Sequence, residues 1–209
     1  MNGFLNVLLG FFWILGVAGQ SYAAPAIDEV QVKNLQANGS GCPVGSTTKL
    51  LVDTDGSGSA DFFQVTFNQF DVERPGKSKK NCLVTAVLGI PQGWSFSVIN
   101  VQYEGYAEIH KKHIGRLTTK YNFPFFSNSV TTQKNIPGYF EGEYSKQDTL
   151  GLFATVWSPC GKVAPLNMNS RLMISQKPRT RGGNSFMDVE RQSGLLVQKW
   201  HLKWRRCRS

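Results

Sequence analysis

Apolar residues in this chain recur at a spacing of two rather than three or four. Residues 47–52 and 62–67 are short runs rich in β-branched and aromatic side chains, separated by an Asp/Gly/Ser turn, and each predicts a strand. Residues 82–90 are almost continuously apolar, the pattern of a strand buried on both faces. After the turn Pro91-Gln92-Gly93, the residues Trp94, Phe96 and Val98 share one face. Ile99, Val101 and Tyr103 then continue on the opposite parity, which predicts a β-bulge near Val98. Further strands are expected over residues 149–157, 166–175, 195–198 and 199–206. No stretch sustains a helical period. Many short strands with Gly, Pro and Asn turns predict an all-β fold, an antiparallel and jelly-roll-like β-sandwich. Two segments read as loops. Residues 71–81 are polar and broken by Pro75-Gly76. Residues 176–193 are rich in Arg, Gly and Ser, with Phe186, Met187 and Val189 their only large apolar residues, which predicts a mobile basic loop.

The N-terminus sets the compartment. Residues 1–23 hold no Asp, Glu, Lys or Arg, positions 8–17 form a compact apolar run, and Ser21-Tyr22-Ala23 offers small residues where a signal peptidase reads. A secretory leader cleaved before Ala24 is expected. The rival, a retained membrane anchor, is disfavoured because Gly10, Gly16, Gly19 and Gln20 interrupt the run, and a span needs about 20 mostly apolar residues. The charged C-terminus excludes a lipid-anchor signal. The remaining residues 24–209 suit one secreted domain. In an oxidising compartment the four cysteines, Cys42, Cys82, Cys160 and Cys207, predict two disulfides. Three pairings are open. Cys82 begins a strand and Cys207 ends the last one, whereas Cys42 and Cys160 sit in Pro-flanked turns, so the expectation leans to Cys42–Cys160 and Cys82–Cys207. Zinc is disfavoured because no pair has Cys-x-x-Cys spacing.

Charge is unevenly placed. The formal net charge is +9. Residues 24–170 hold 13 Lys/Arg against 12 Asp/Glu, whereas residues 171–209 hold 10 against 2. A concentrated positive field attracts anionic partners. Outside a cell those would be acidic polysaccharide or another cell-surface component, with nucleic acid not expected as the natural partner. The plainer reading is a solvated surface that keeps the protein in solution.

Five local patterns, in order, resemble one family: Gly39-Ser40-Gly41-Cys42-Pro43, Lys80-Asn81-Cys82, Pro91-Gln92-Gly93-Trp94-Ser95-Phe96, Trp157-Ser158-Pro159-Cys160-Gly161 and His201-Leu202-Lys203-Trp204-Arg205-Arg206-Cys207. Gly105-Tyr106-Ala107 fits between them. Together they resemble the secreted proteins grouped as domain of unknown function 4360, over about residues 27–207. The resemblance implies a secreted, disulfide-bonded domain and transfers no catalytic residue, ligand or cofactor. The Arg-rich residues 176–191 depart from the family pattern.

Several constellations invite chemistry. Asp53, Asp55 and Asp61 stand at positions 1, 3 and 9 of a calcium-type loop with Gly58 at position 6, but position 12 is Gln64 and both flanks read as strands. A hairpin turn explains the same residues. His110 and His113, three apart on a strand, would point to opposite faces, and Lys111 and Lys112 would repel a cation, so the segment reads as exposed and polar. Glu141 and Glu143 share a face if extended and are the minimum equipment of a glycoside hydrolase, or simply a solvated pair. No nucleophile elbow, zinc-protease motif or phosphate loop is present. Asn38-Gly39-Ser40 is a glycosylation sequon. The last strand offers the best binding surface: Trp200, Leu202 and Trp204 share one face, and Lys199, His201, Lys203 and Arg205 the other. An edge strand guarded by lysine is the structural alternative. The sequence therefore points to a non-catalytic binding protein of the cell surface, the wall, or a host or competitor. Its contact residues would be Lys199, Lys203 and Arg205. The alternatives are a polysaccharide hydrolase using paired carboxylates and a purely structural secreted protein. No cofactor and no metal are called for.

Overall fold

The computed structural model describes residues 24–46, 48–53, 55–124, 126–149, 156–161, 163–189 and 198–207. The leader, most of the expected strands at 149–157 and 195–198, and residues 190–193 lie outside them. After a single 3-10 turn at Ile27–Glu29 come twelve strands: β1 (Gln31–Asn38), β2 (Lys49–Asp53), β3 (Phe62–Thr66), β4 (Asp71–Arg74), β5 (Lys79–Gly89), β6 (Trp94–Ile109), β7 (His113–Asn122), β8 (Ser129–Ile136), β9 (Phe140–Thr149), β10 (Ala164–Gln176), β11 (Ser185–Asp188) and β12 (Gln198–Arg206).

The strands form two antiparallel sheets. One has the order β1-β5-β10-β7-β8. The other runs β2-β3-β12-β6, with β11 and β4 following on the β12 side of β6 and β9 on its opposite edge. The pairings are nested: β7 with β8, β6 with β9, β5 with β10, β4 with β11 and β3 with β12. The chain from β3 to β12 is thus one long antiparallel hairpin rolled up so that its strand pairs are divided between the two sheets, the jelly-roll solution to covering two apolar sheet faces. A single core lies between the sheets, with Phe63, Phe96, Leu88, Leu117, Leu166 and Trp200 wholly buried.

Polar bonds tie the sheets together inside that core. The Tyr103 hydroxyl lies 2.6 Å from Oγ1 of Thr119 and 2.7 Å from Oγ1 of Thr132 across the sandwich. Tyr121 donates to the Val98 carbonyl at 2.9 Å, and Ser170 donates to Oε1 of Gln198 at 2.8 Å. Each of these buried hydroxyls has a partner, as a buried polar group requires.

The parity change falls where the pattern put it. Asn100 pairs with His201 and Val98 with Leu202, so Ile99 is the extra residue of a bulge. Four expectations are corrected. β5 is not buried on both faces: Cys82, Val84, Ala86 and Leu88 point inward, while Leu83 is exposed on the other side. Residues 71–81 are not a loop but the strand β4, in one sheet, a tight turn at 75–78, and the start of β5, in the other, and Val72 alone anchors β4 in the core. Within 176–193, Ser185–Asp188 is a strand held between β4 and β6, with Met187 and Val189 fully buried. The disulfides are Cys42–Cys82 and Cys160–Cys207, not the leaning Cys42–Cys160 and Cys82–Cys207. The reason is topological. Cys82 stands on β5, whereas Cys207 follows β12 in the other sheet, where its amide bonds Gly93 beside the segment that carries Cys160. β1 runs along β5 with Asn38 opposite Leu83, and that register delivers Cys42 to Cys82.

Candidate functional site

β12 is built in two halves. Gln198–His201 is enclosed by β3 on one edge and β6 on the other, whereas Leu202–Arg206 pairs with β6 only. The open half starts where the Leu202 amide donates to the Asp61 carbonyl and the Trp204 indole donates to the Ala60 carbonyl at 2.6 Å. Beside this open half lies a groove of about 980 Å³. Its wall is formed by Asp61, Trp157, Lys203, Arg205, Arg206 and the Cys160–Cys207 disulfide.

Three family-like patterns meet here. Ser158 donates its amide to the Phe96 carbonyl, Gly161 donates to the Trp94 carbonyl, and Cys207 donates to the Gly93 carbonyl. The 157–161 segment, the Gly93 turn and the end of β12 are therefore laced to one another before the disulfide closes over them. Two cations lie against aromatic rings. The Arg205 guanidinium is 4.1 Å from the Trp157 ring centroid, and the Arg206 guanidinium is 4.0 Å from that of Trp94. Trp94 in turn meets Trp204 edge-on at 6.4 Å, and Trp204 meets Phe96 at 5.3 Å. Both arginines are exposed residues, and a guanidinium is the group suited to carboxylate or sulfate oxygens.

Of the residues picked from sequence, Lys203 and Arg205 line this groove, both exposed. Lys199 shares their face but sits in the enclosed half, its Nζ 5.5 Å from the Phe62 ring centroid. Next to it His201 packs 5.6 Å from Phe62. Burial and then the Lys199 charge hold its imidazole below the usual range, with Asp61 opposing them. Trp157 and Arg206 complete the groove. Trp157 carried no weight in the sequence because its partner, Arg205, is 48 positions away and only the fold joins them.

The other candidates fall elsewhere. Asp53, Asp55 and Asp61 belong to the β2–β3 hairpin turn: Oδ2 of Asp61 accepts from the Asp55 amide at 3.1 Å and from the Ser57 hydroxyl at 2.9 Å, and Oδ1 of Asp55 accepts from the Ser57 amide. The carboxylates serve the turn. No group of three or more metal-ligating side chains occurs among the described residues. Glu141 and Glu143 both point outward from β9 and are exposed. Glu143 stands opposite Tyr106 and Glu141 opposite Glu108, so the cross-strand carboxylate neighbour of Glu141 is one the sequence did not suggest. Asn38 is exposed at the end of β1, while the Ser40 hydroxyl of its sequon accepts from the Asn81 amide at 3.1 Å.

His110 and His113 are not on one strand, which corrects the exposed-strand reading. They bracket the β6–β7 turn, their rings are 5.7 Å apart, and His113 is only 1% exposed. Gly105 in the Gly105-Tyr106-Ala107 pattern has a packing role: a Cβ there would stand 2.4 Å from the Asp188 carbonyl. That carbonyl accepts from the buried Tyr144 hydroxyl, whose pKa burial raises well above the usual phenol value.

In fold the sandwich is similar to TmCBM61 in complex with β-1,4-galactotriose, at 8% identity and a TM-score of 0.32 over 88% of this chain and 95% of that one. It is also similar to a Clostridium thermocellum endo-1,4-β-D-xylanase 10B complexed with xylohexaose, at 9% identity and a TM-score of 0.28 over 86% of this chain and 28% of that one. A protein of Arthroderma benhamiae described as an uncharacterized secreted protein is 29% identical over 192 residues, 88% of this chain and 74% of its own length. With two disulfides and this relative, the protein is a secreted one. The family model for the domain of unknown function DUF4360 matches residues 28–207, and the chain belongs to that family.

Proposed function

We propose that the mature protein, beginning at Ala24, is a non-catalytic binding protein for acidic polysaccharide at a cell surface or wall. The contact surface is the groove along the open half of β12. The observation that carries this reading is the pair of guanidiniums over tryptophan rings, Arg205 on Trp157 and Arg206 on Trp94, beside Lys203 in one groove. The guanidiniums occupy a face of each ring and the three basic residues are exposed, so the groove favours anionic groups over stacked neutral sugar. Exposed cations act through a field that salt screens, with a Debye length of about 10 Å at 0.1 M. Binding should therefore weaken steeply with ionic strength.

The test is a pull-down of the oxidised protein with insoluble wall polysaccharides across a salt series, with released sugar assayed in the same tubes. Salt-sensitive capture by acidic polymers, lost in Lys203→Glu/Arg205→Glu with unchanged thermal unfolding, is the expected result. Capture that survives those substitutions overturns the reading. Sugar release abolished by Glu141→Gln or Glu143→Gln would replace it with a hydrolase. The absence of both capture and release would leave a structural role.

A further inference from the structure

We propose that a second cavity, at the far end of β6 from the groove, binds a phosphate or sulfate group. The cavity has a volume of about 470 Å³ and is lined by Arg74, Gly76, His113, Gln176, Gly182 and Gly183, with Asn184 at its mouth. The site stands independently of the groove.

Its donors come from three directions. Arg74, half-buried at the end of β4, gives Nη2 to Oε1 of Gln176 at 3.0 Å, and no carboxylate among the described residues pairs with it. His113, at the start of β7, has Nδ1 2.7 Å from the Ser185 hydroxyl, which itself accepts from the His110 amide at 2.8 Å. In the tautomer in which that hydroxyl donates to Nδ1, the neutral imidazole carries its proton on Nε2, a donor that could serve an anion. Gly182 and Gly183 form the third side at φ 73° and 102°. Their amides have no hydrogen-bond partner among the described residues. Gly183 is pressed against His110, where a Cβ would stand 2.4 Å from Nδ1, so only glycine brings the backbone this close.

The lining contains no Asp or Glu; Glu73 lies outside it, packed against Gly76. Nearby in the chain Lys112 donates to the Arg181 carbonyl at 2.7 Å, and the Lys177 amide donates to the Lys112 carbonyl, which ties the basic segments 110–113 and 176–183 together. A neutral sugar needs acceptors as well as donors, and the side-chain acceptors here are only the amide oxygens of Gln176 and Asn184. A planar carboxylate would be served by the guanidinium alone. A tetrahedral oxyanion can accept from the guanidinium, the imidazole and the backbone amides together. Burial first, and then the charges of Arg74, His110 and Lys112, hold the His113 imidazole below its usual pKa, and an anion in the cavity would oppose that.

The experiment is a titration of the mature, oxidised protein with sodium phosphate and, separately, sodium sulfate, followed by NMR. Sodium chloride at matched ionic strength is the control and sodium glucuronate a further arm. Saturable shifts at the Gly182 and Gly183 amides, with a rise in the His113 pKa, are expected for phosphate or sulfate. Response to one alone assigns the group. Arg74→Gln should weaken binding at least about tenfold, Arg74→Lys less, and Lys203→Glu/Arg205→Glu not at all. The proposal is overturned by linear shifts matching chloride, by equal affinity for glucuronate, or by saturation at the groove instead. Unchanged affinity in folded Arg74→Gln, or in Arg74→Lys should the first not fold, would also overturn it.

Discussion

The two ends of β6 both present cations, and they hold them in opposite ways. At the Trp94 end the guanidiniums of Arg205 and Arg206 lie on tryptophan faces in an open groove, and a disulfide clamps the segments that carry them. At the Ile109 end Arg74 and His113 are sunk into a smaller cavity and fixed by hydrogen bonds to Gln176 and Ser185. The 16 residues between, at about 3.3 Å each, separate the two by roughly 50 Å. Exposed cations on rigid rings suit a long polymer met through a screened field. A half-buried guanidinium with an imidazole and bare amides suits a single group that has shed its water. The same residue types are thus given different chemistry by burial alone.

The largest effect should come from the clamp. Cys160→Ser with Cys207→Ser reopens a loop of 47 residues, and Cys42→Ser with Cys82→Ser one of 40. The chain-entropy model gives about 4 kcal/mol for either. Denaturant unfolding should show two similar losses. Only the first should abolish groove binding at a temperature where both variants remain folded; equal loss of binding would mean the groove needs global stability rather than its clamp. Next is the link between the sheets near the middle of β6. Tyr103→Phe leaves the hydroxyls of Thr119 and Thr132 without their shared partner and should cost about 1–3 kcal/mol. Both ends should keep their ligands. A binding change at either would show that the centre couples them.

Acid should act through two imidazoles, the buried His113 at the cavity and the half-buried His201 in the enclosed half of β12. His113 and His201 are each held below the ordinary value of 6.5, burial being the first cause. Unfolding lets them bind protons more readily, so stability rises with pH between their depressed values and 6.5 and falls as pH drops through that window. Melting temperature against pH should show this slope, and His113→Gln and His201→Gln should each flatten part of it. Phosphate should also flatten the His113 part. The smallest effect belongs to β9: Glu141→Gln and Glu143→Gln, both exposed, should change stability by less than about 0.5 kcal/mol.

Legibility followed burial. β3, β6, β10 and β12 could be read because one face of each is apolar, and the parity switch at Ile99 even located a bulge. β1, β4, β7, β8, β9 and β11 were missed. Their sequences, such as Ser129–Ile136 with its run Val130-Thr131-Thr132-Gln133-Lys134, carry too few apolar residues to alternate visibly. They are strands because the nested hairpin gives them partners. Lys203 and Arg205 could be picked from parity. Trp157, Arg74 and the His113–Ser185 pair could not, because each gains its role from a residue between 40 and 110 positions away.

The sequence by itself determined the secretory leader as an expectation, the all-β class, the presence of two disulfides and the alternation that turns Trp200, Leu202 and Trp204 inward. Those follow from local composition and a period of two, which each segment carries in itself. Tertiary structure decided which cysteines pair, which half of β12 is open, and that a stretch read as a mobile basic loop is partly a buried strand. Those depend on the order in which the hairpin rolls its halves into two sheets, and that order is set by the contacts of distant segments rather than by any one of them.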